Sequence, residues 1–189
     1  MVRGLFDNQD AINYLTPTAA PGHTIHIPSG EIAPLWEVAS RYREAHLSTL
    51  IVAGERYGMG SSRDWAAKGV ALLGVRAILA QSFERIHRTN LVGMGILPIV
   101  LPKAGAPQNL DLKPGDMIFV DASAITPRCK VGIQVKRQNG TELALAGEAA
   151  IETELEVEML QVGGLIPLIL RSKTLKLRYD HRSQYVSTT

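Results

Sequence analysis

Six residues of one short stretch have the chemistry to hold an anion: Gly54, Gly58, Gly60, Ser61, Ser62 and Arg63. The β-branched, apolar run at 49–53 precedes them with the pattern of a strand buried on both faces, and 65–73 follows with helical spacing. The loop therefore runs from a strand end into a helix start. There the backbone N–H groups of the first turn have no partner within the helix, and the helix dipole is positive, so the place suits a carboxylate or phosphate. Two hydroxyls and the Arg63 fork add donors shaped for a carboxylate. Read blandly, the same residues are a tight turn with a capping serine and a solvated arginine. A P-loop is excluded because Gly-Lys-Ser/Thr is missing, and a dinucleotide site because the glycines do not follow G-x-G-x-x-G.

The rest of the composition narrows the chemistry. Cys129 is the single cysteine, so one chain can build neither a disulfide nor a multi-thiolate metal site, which suits a reducing cytoplasm. His23, His26, His46 and His181 show no metal-ligand spacing, and no metal or cofactor site is assigned within this chain. Twenty basic residues against 18 acidic leave a net charge of +2, which favours neither a DNA nor a membrane surface and gives an RNA-binding role no bulk support. No apolar run reaches the roughly 18 residues of a membrane span, and the first residues lack the apolar core of a secretion signal. The expectation is a cytoplasmic protein whose anion binding is local.

The elements that must carry the loop read as an α/β domain. A short strand is expected at 24–27, then a turn at Pro28-Ser29-Gly30 and a helix over 32–45 with Leu35, Trp36, Ala39 and Tyr42 on one face. Buried strands at 49–53 and 75–80 flank a crossover helix, and a helix at 83–90 leads to a third apolar strand at 95–101. After Pro102 the texture turns to antiparallel strands at 117–121 and 130–137 with Asn139-Gly140 as a hairpin turn. An acidic helix at 152–161 stops at Gly163-Gly164, an apolar piece follows at 165–170, and residues 172–189 read as a disordered tail outside the domain at 1–171.

Two long motifs, 58–69 (Gly-Met-Gly-Ser-Ser-Arg-Asp-Trp-Ala-Ala-Lys-Gly) and 82–98 (beginning Ser-Phe-Glu-Arg-Ile-His-Arg-Thr-Asn-Leu), resemble the C-terminal swivelling domain of the aconitase family. Arg3-Gly4-Leu5-Phe6 and Ile27-Pro28-Ser29-Gly30-Glu31 extend the resemblance, which runs to about Gly164. It implies a β/β/α swivelling domain of a hydro-lyase that interconverts citrate and isocitrate through cis-aconitate. In the family pattern Ser61 is the base, while Arg3, Ser62 and Arg63 contact the substrate. Arg3 by itself would pass for a solvated terminal charge. The Arg85/His87/Arg88 cluster is expected to be scaffold for the loop.

The same resemblance implies a [4Fe-4S] cluster held by three cysteines, which this chain lacks. The cluster is therefore expected in partner domains or a large subunit, and this chain is either a small subunit or an excised domain. The start just before Arg3 fits a split or excised domain. Trp36-Glu37 and the segments at 126–129 and 137–140 are more like the branch that dehydrates 2-methylcitrate. The small subunit of isopropylmalate isomerase fits less, because there Glu-His follows Ser-Ser-Arg in place of Asp64-Trp65. An RNA-binding module without a cluster and a purely structural assembly domain are the alternatives of other classes.

Overall fold

The computed structural model describes residues 2–60 and 62–174. Near its start, His23–His26 (β1) and Glu31–Pro34 (β2) pair antiparallel in a separate hairpin, His26 opposite Glu31. The helix expected from residue 32 therefore begins three residues later, as Leu35–Glu44 (α1). Pro34 sets that boundary: it ends the strand, lacks an N–H to donate, and its φ of −52° leads directly into a helical turn.

The two crossovers have the expected order. Thr49–Ala53 (β3), Arg63–Leu72 (α2), Val75–Ala80 (β4), Arg85–Gly93 (α3) and Leu97–Val100 (β5) alternate, and the three strands pair in parallel. Period two along β4 sends Ala77 and Leu79 to one face and Ile78 to the other. The second face packs under the helices with Ala39, Ala67, Val70 and Leu91. Burial of one such aliphatic side chain contributes about 1.5–3 kcal/mol, so this layer fixes α2 and α3 on the sheet.

Beyond β5 come a one-turn helix, Pro107–Leu110 (α4), and the strands Met117–Val120 (β6), Lys130–Lys136 (β7) and Glu142–Ala149 (β8). The antiparallel half is not a separate sheet. β8 pairs with β5 and β7 at once, giving one sheet in the order β3-β4-β5-β8-β7-β6. Its edges converge, because Leu50 of β3 and Ile118 and Val120 of β6 line one cleft. The strand β8 is composed of Glu, Leu, Ala and Gly, a helix-leaning composition that hid it from a propensity reading. Thr153 caps Glu154–Val162 (α5) through its side chain, and α5 ends at Gly163. Residues 165–174 are helical, so a helix crosses the border drawn at 171–172. The rest of the tail, 175–189, lies outside the described residues.

Candidate functional site

The site begins where β3 hands over to α2. Ser62 occupies the N-cap of α2, yet its side chain makes no capping hydrogen bond. Its carbonyl accepts the first helical N–H, from Ala66, at 2.7 Å, while the hydroxyl stays exposed. The bland expectation of a capping serine therefore fails for Ser62. Ser61 lies outside the described residues.

Arg63 is the first residue of α2, half-buried. Its Nε is buried and has no hydrogen-bond partner among the described residues, and the Glu84 carboxylate stands 3.5 Å away, close enough to attract but misaligned for a hydrogen bond. Glu84 itself sits at the N-cap of α3, where Oε2 accepts the His87 N–H at 2.9 Å. That backbone N–H, with the positive charge of Arg63, outweighs burial and holds the Glu84 carboxyl below the usual carboxylate range.

His87 closes the arrangement from beneath. Its ring is buried, with Nδ1 3.0 Å from the Arg63 carbonyl oxygen. A carbonyl oxygen only accepts, so Nδ1 carries the proton. Burial pushes the His87 pKa below its ordinary value despite the opposing carbonyl and Glu84, so the ring stays neutral. Gly58 makes room for it: at φ +88°, a Cβ there would lie 2.1 Å from the His87 ring. The Tyr57 N–H donates to the Ser82 carbonyl and the Glu84 N–H to the Tyr57 carbonyl, both at 2.9 Å. The Arg56 N–H reaches Ser82 Oγ at 2.7 Å. The two long motifs of the sequence are thus one hydrogen-bonded unit, which delays the start of α3 to Arg85 because Phe83 bridges Tyr57.

Arg3 stands on a different element, near the start of the chain. It lies in a 3-10 turn at Val2–Gly4, exposed, with its guanidinium carbon 4.6 Å above the centroid of the Trp36 ring. The turn is held by Leu5 against α2, where Gly69 has no Cβ and one added there would meet Leu5 at 2.5 Å. No hydrogen bond joins Arg3 to Ser62 or Arg63 among the described residues, and the fork of Arg63 donates to none of them either.

The basic cluster after the loop divides as scaffold. His87 and Arg88 are buried; Arg88 donates to the Ala150 carbonyl at 3.0 Å and to Glu156 at 2.9 Å, tying α3 to α5, while Arg85 is exposed. Sequence reasoning missed Glu84 and the pairing of Trp36 with Arg3. A glutamate three residues before His87 was a legible helix-start signal, but its second contact, to Arg63, depends on tertiary structure.

The chain does not fit an iron-sulfur cluster. Cys129 is its only thiol, half-buried, accepting the Thr126 N–H at 3.4 Å. Among the described residues no three His, Cys, Asp or Glu side chains gather as a metal site, and no helix is long and apolar enough to cross a membrane.

Residues 1–104 match the family model described as the aconitase C-terminal domain. Aconitate hydratase A of Staphylococcus epidermidis is 40% identical over 174 residues, 92% of this chain and 19% of that protein. Its counterpart in Legionella pneumophila is 41% identical over 172 residues, 90% and 19% respectively. The chain spans about a fifth of the length of these curated relatives. A solved structure of 3-isopropylmalate dehydratase from Methanocaldococcus jannaschii aligns with a TM-score of 0.46 at 21% identity, over 78% of this chain and 83% of that one. With more than half of its length matched by the family model, and with both loop motifs inside the matched region, the chain belongs to the aconitase C-terminal domain family.

Proposed function

We propose that this chain is the substrate-gripping domain of an aconitase-type hydro-lyase that interconverts citrate and isocitrate through cis-aconitate, with the domain at 1–171 and Ser61 as its base. The observation that carries this reading is Arg63 on the first turn of α2, its guanidinium beside Glu84 yet without a hydrogen bond at Nε among the described residues, and its backbone held by His87. Such a fork at a helix N-terminus receives a carboxylate with two parallel hydrogen bonds and a favourable dipole.

Ser61 immediately precedes the N-cap in sequence. A serine oxygen works as a base only where its alkoxide is stabilised, and the positive end of α2 beside Arg63 supplies that field. Ser61 Oγ takes the proton from the carbon next to a substrate carboxylate, and the electron pair left behind spreads into that carboxylate. The charge gathering there is met by the Arg63 fork, while the Ser62 hydroxyl holds a carboxylate or hydroxyl group and Arg3 a second carboxylate.

The [4Fe-4S] cluster that would supply a Lewis acid for the departing hydroxyl belongs, in this reading, to partner domains or a large subunit, since one cysteine cannot hold it. The names of the relatives favour citrate and isocitrate over 2-methylcitrate. Dehydration of both tri-acids, followed by absorbance of the unsaturated product after mixing the chain with cluster-loaded domains from its own source, tests this. Faster turnover of isocitrate is expected; faster turnover of 2-methylcitrate would reassign the substrate.

A further inference from the structure

We propose that Trp36 is a positioning residue for substrate binding, holding Arg3 ready for a carboxylate without spending the arginine's charge. The inference rests on the reading of Arg3 as a carboxylate contact and extends it to a residue on a different element.

Arg3 is exposed on a short turn, and a free arginine side chain there would sample many rotamers, each wrong one a loss to be overcome on binding. The Trp36 ring removes much of that freedom, with the guanidinium carbon 4.6 Å over its centroid. A ring face engages the flat side of a guanidinium, whereas the N–H donors point outward in its plane and remain available. A carboxylate in the same position would consume those donors and neutralise the charge.

The acidic residue beside Trp36 in sequence is already paired within its own neighbourhood. Glu37, next to Trp36, receives Arg41 at 2.8 Å, and Arg41 also reaches Glu31 at 2.7 Å. Glu37 is thereby occupied on the helix that carries the platform. The platform is itself fixed, because Trp36 packs with Val2, Leu5, Phe6 and Leu35 against the buried layer under α1 and α2. A long, flexible cation is thus anchored by an aromatic ring at its tip and by apolar residues on both sides in sequence.

The test uses the full chain assembled with its cluster-bearing domains. Trp36→Leu is expected to raise KM for isocitrate about 3- to 30-fold, the equilibrium equivalent of one cation–π contact, with kcat changed far less. Trp36→Phe should restore most of the KM, because a face is retained. In an Arg3→Ala background, Trp36→Leu should raise KM no further. Equal effects of Trp36→Leu in the presence and absence of Arg3 would overturn the proposal, as would failure of Trp36→Phe to recover. If Arg3→Ala alone leaves KM unchanged, the carboxylate role of Arg3 falls, and the proposal with it. A far-ultraviolet spectrum and unfolding midpoint of each variant separate a lost platform from a lost fold.

Discussion

Arg63 receives support on two sides, from a carboxylate at its Nε and from a buried imidazole at its carbonyl. Glu84 serves both helices at once, since the same oxygen that caps α3 stands beside Arg63. Glu84→Gln keeps the shape and a capping oxygen but removes the charge. Its expected consequence is a KM for isocitrate raised about 3- to 10-fold, with a smaller change in kcat, because misplacing a binding group costs on the order of 1 kcal/mol. Steady-state kinetics of the assembled enzyme check it, and an unchanged KM would reduce Glu84 to a helix cap. The place of Ser62 and Arg63 at the start of α2 was legible in the sequence, because an apolar β-branched run followed by Gly and Ser marks a strand-to-helix boundary. Glu84 was not, because its contact to Arg63 spans two separate helices, and no local pattern reports that.

The element that carries the site is the loop between β3 and α2, and its conformation depends on Gly58. A side chain there meets both a positive φ and the His87 ring. Gly58→Ala should therefore destabilise the chain by about 2–4 kcal/mol through backbone strain and overpacking, read as a lower urea midpoint with unchanged m-value. A midpoint within error of the parent would mean that His87 moves aside freely. At this scale the parallel half was legible, since apolar β-branched runs such as Thr49–Ala53 and Val75–Ala80 have few alternatives. Two features were hidden for physical reasons. Residues 32–34 read as the front of a helix until their pairing with β1 is known, and β8 is strand only because β5 and β7 hold it on both sides.

For the molecule as a whole, charge linkage sets an acid limit. The Glu84, Asp116 and Glu156 carboxyls are all held below their ordinary values. For Glu156, burial opposes this and is outweighed by Arg88 and the Glu152 N–H. Carboxyls with depressed folded pKa values contribute stability above their unfolded values of 4.5, 3.8 and 4.5, and that stability is lost as pH falls. His87 acts in the same direction: kept neutral by burial, it binds a proton more readily when unfolded, so its contribution fades as pH drops below its ordinary 6.5. Unfolding free energy is thus expected to be flat from about pH 6.5 to about pH 9, to decline below that range, and to fall more steeply below about pH 4.5, while burial of the Tyr57 hydroxyl makes it fall again toward strongly alkaline pH. His87→Asn, which retains a donor but does not titrate, should flatten the upper part of that decline in urea titrations at stepped pH. Persistence of the full decline in the variant would assign it to other groups.

The central claim is that this chain brings the base as well as the grip. Its most direct measurement is isocitrate dehydration by the Ser61→Ala chain combined with cluster-loaded domains, compared at saturating substrate with the parent chain. The account predicts a fall of about 10² to 10⁴ in kcat with KM little changed, the contribution of one positioned proton-transfer group. A kcat within about tenfold of the parent would contradict it, leaving this chain to bind the tri-acid while another group removes the proton.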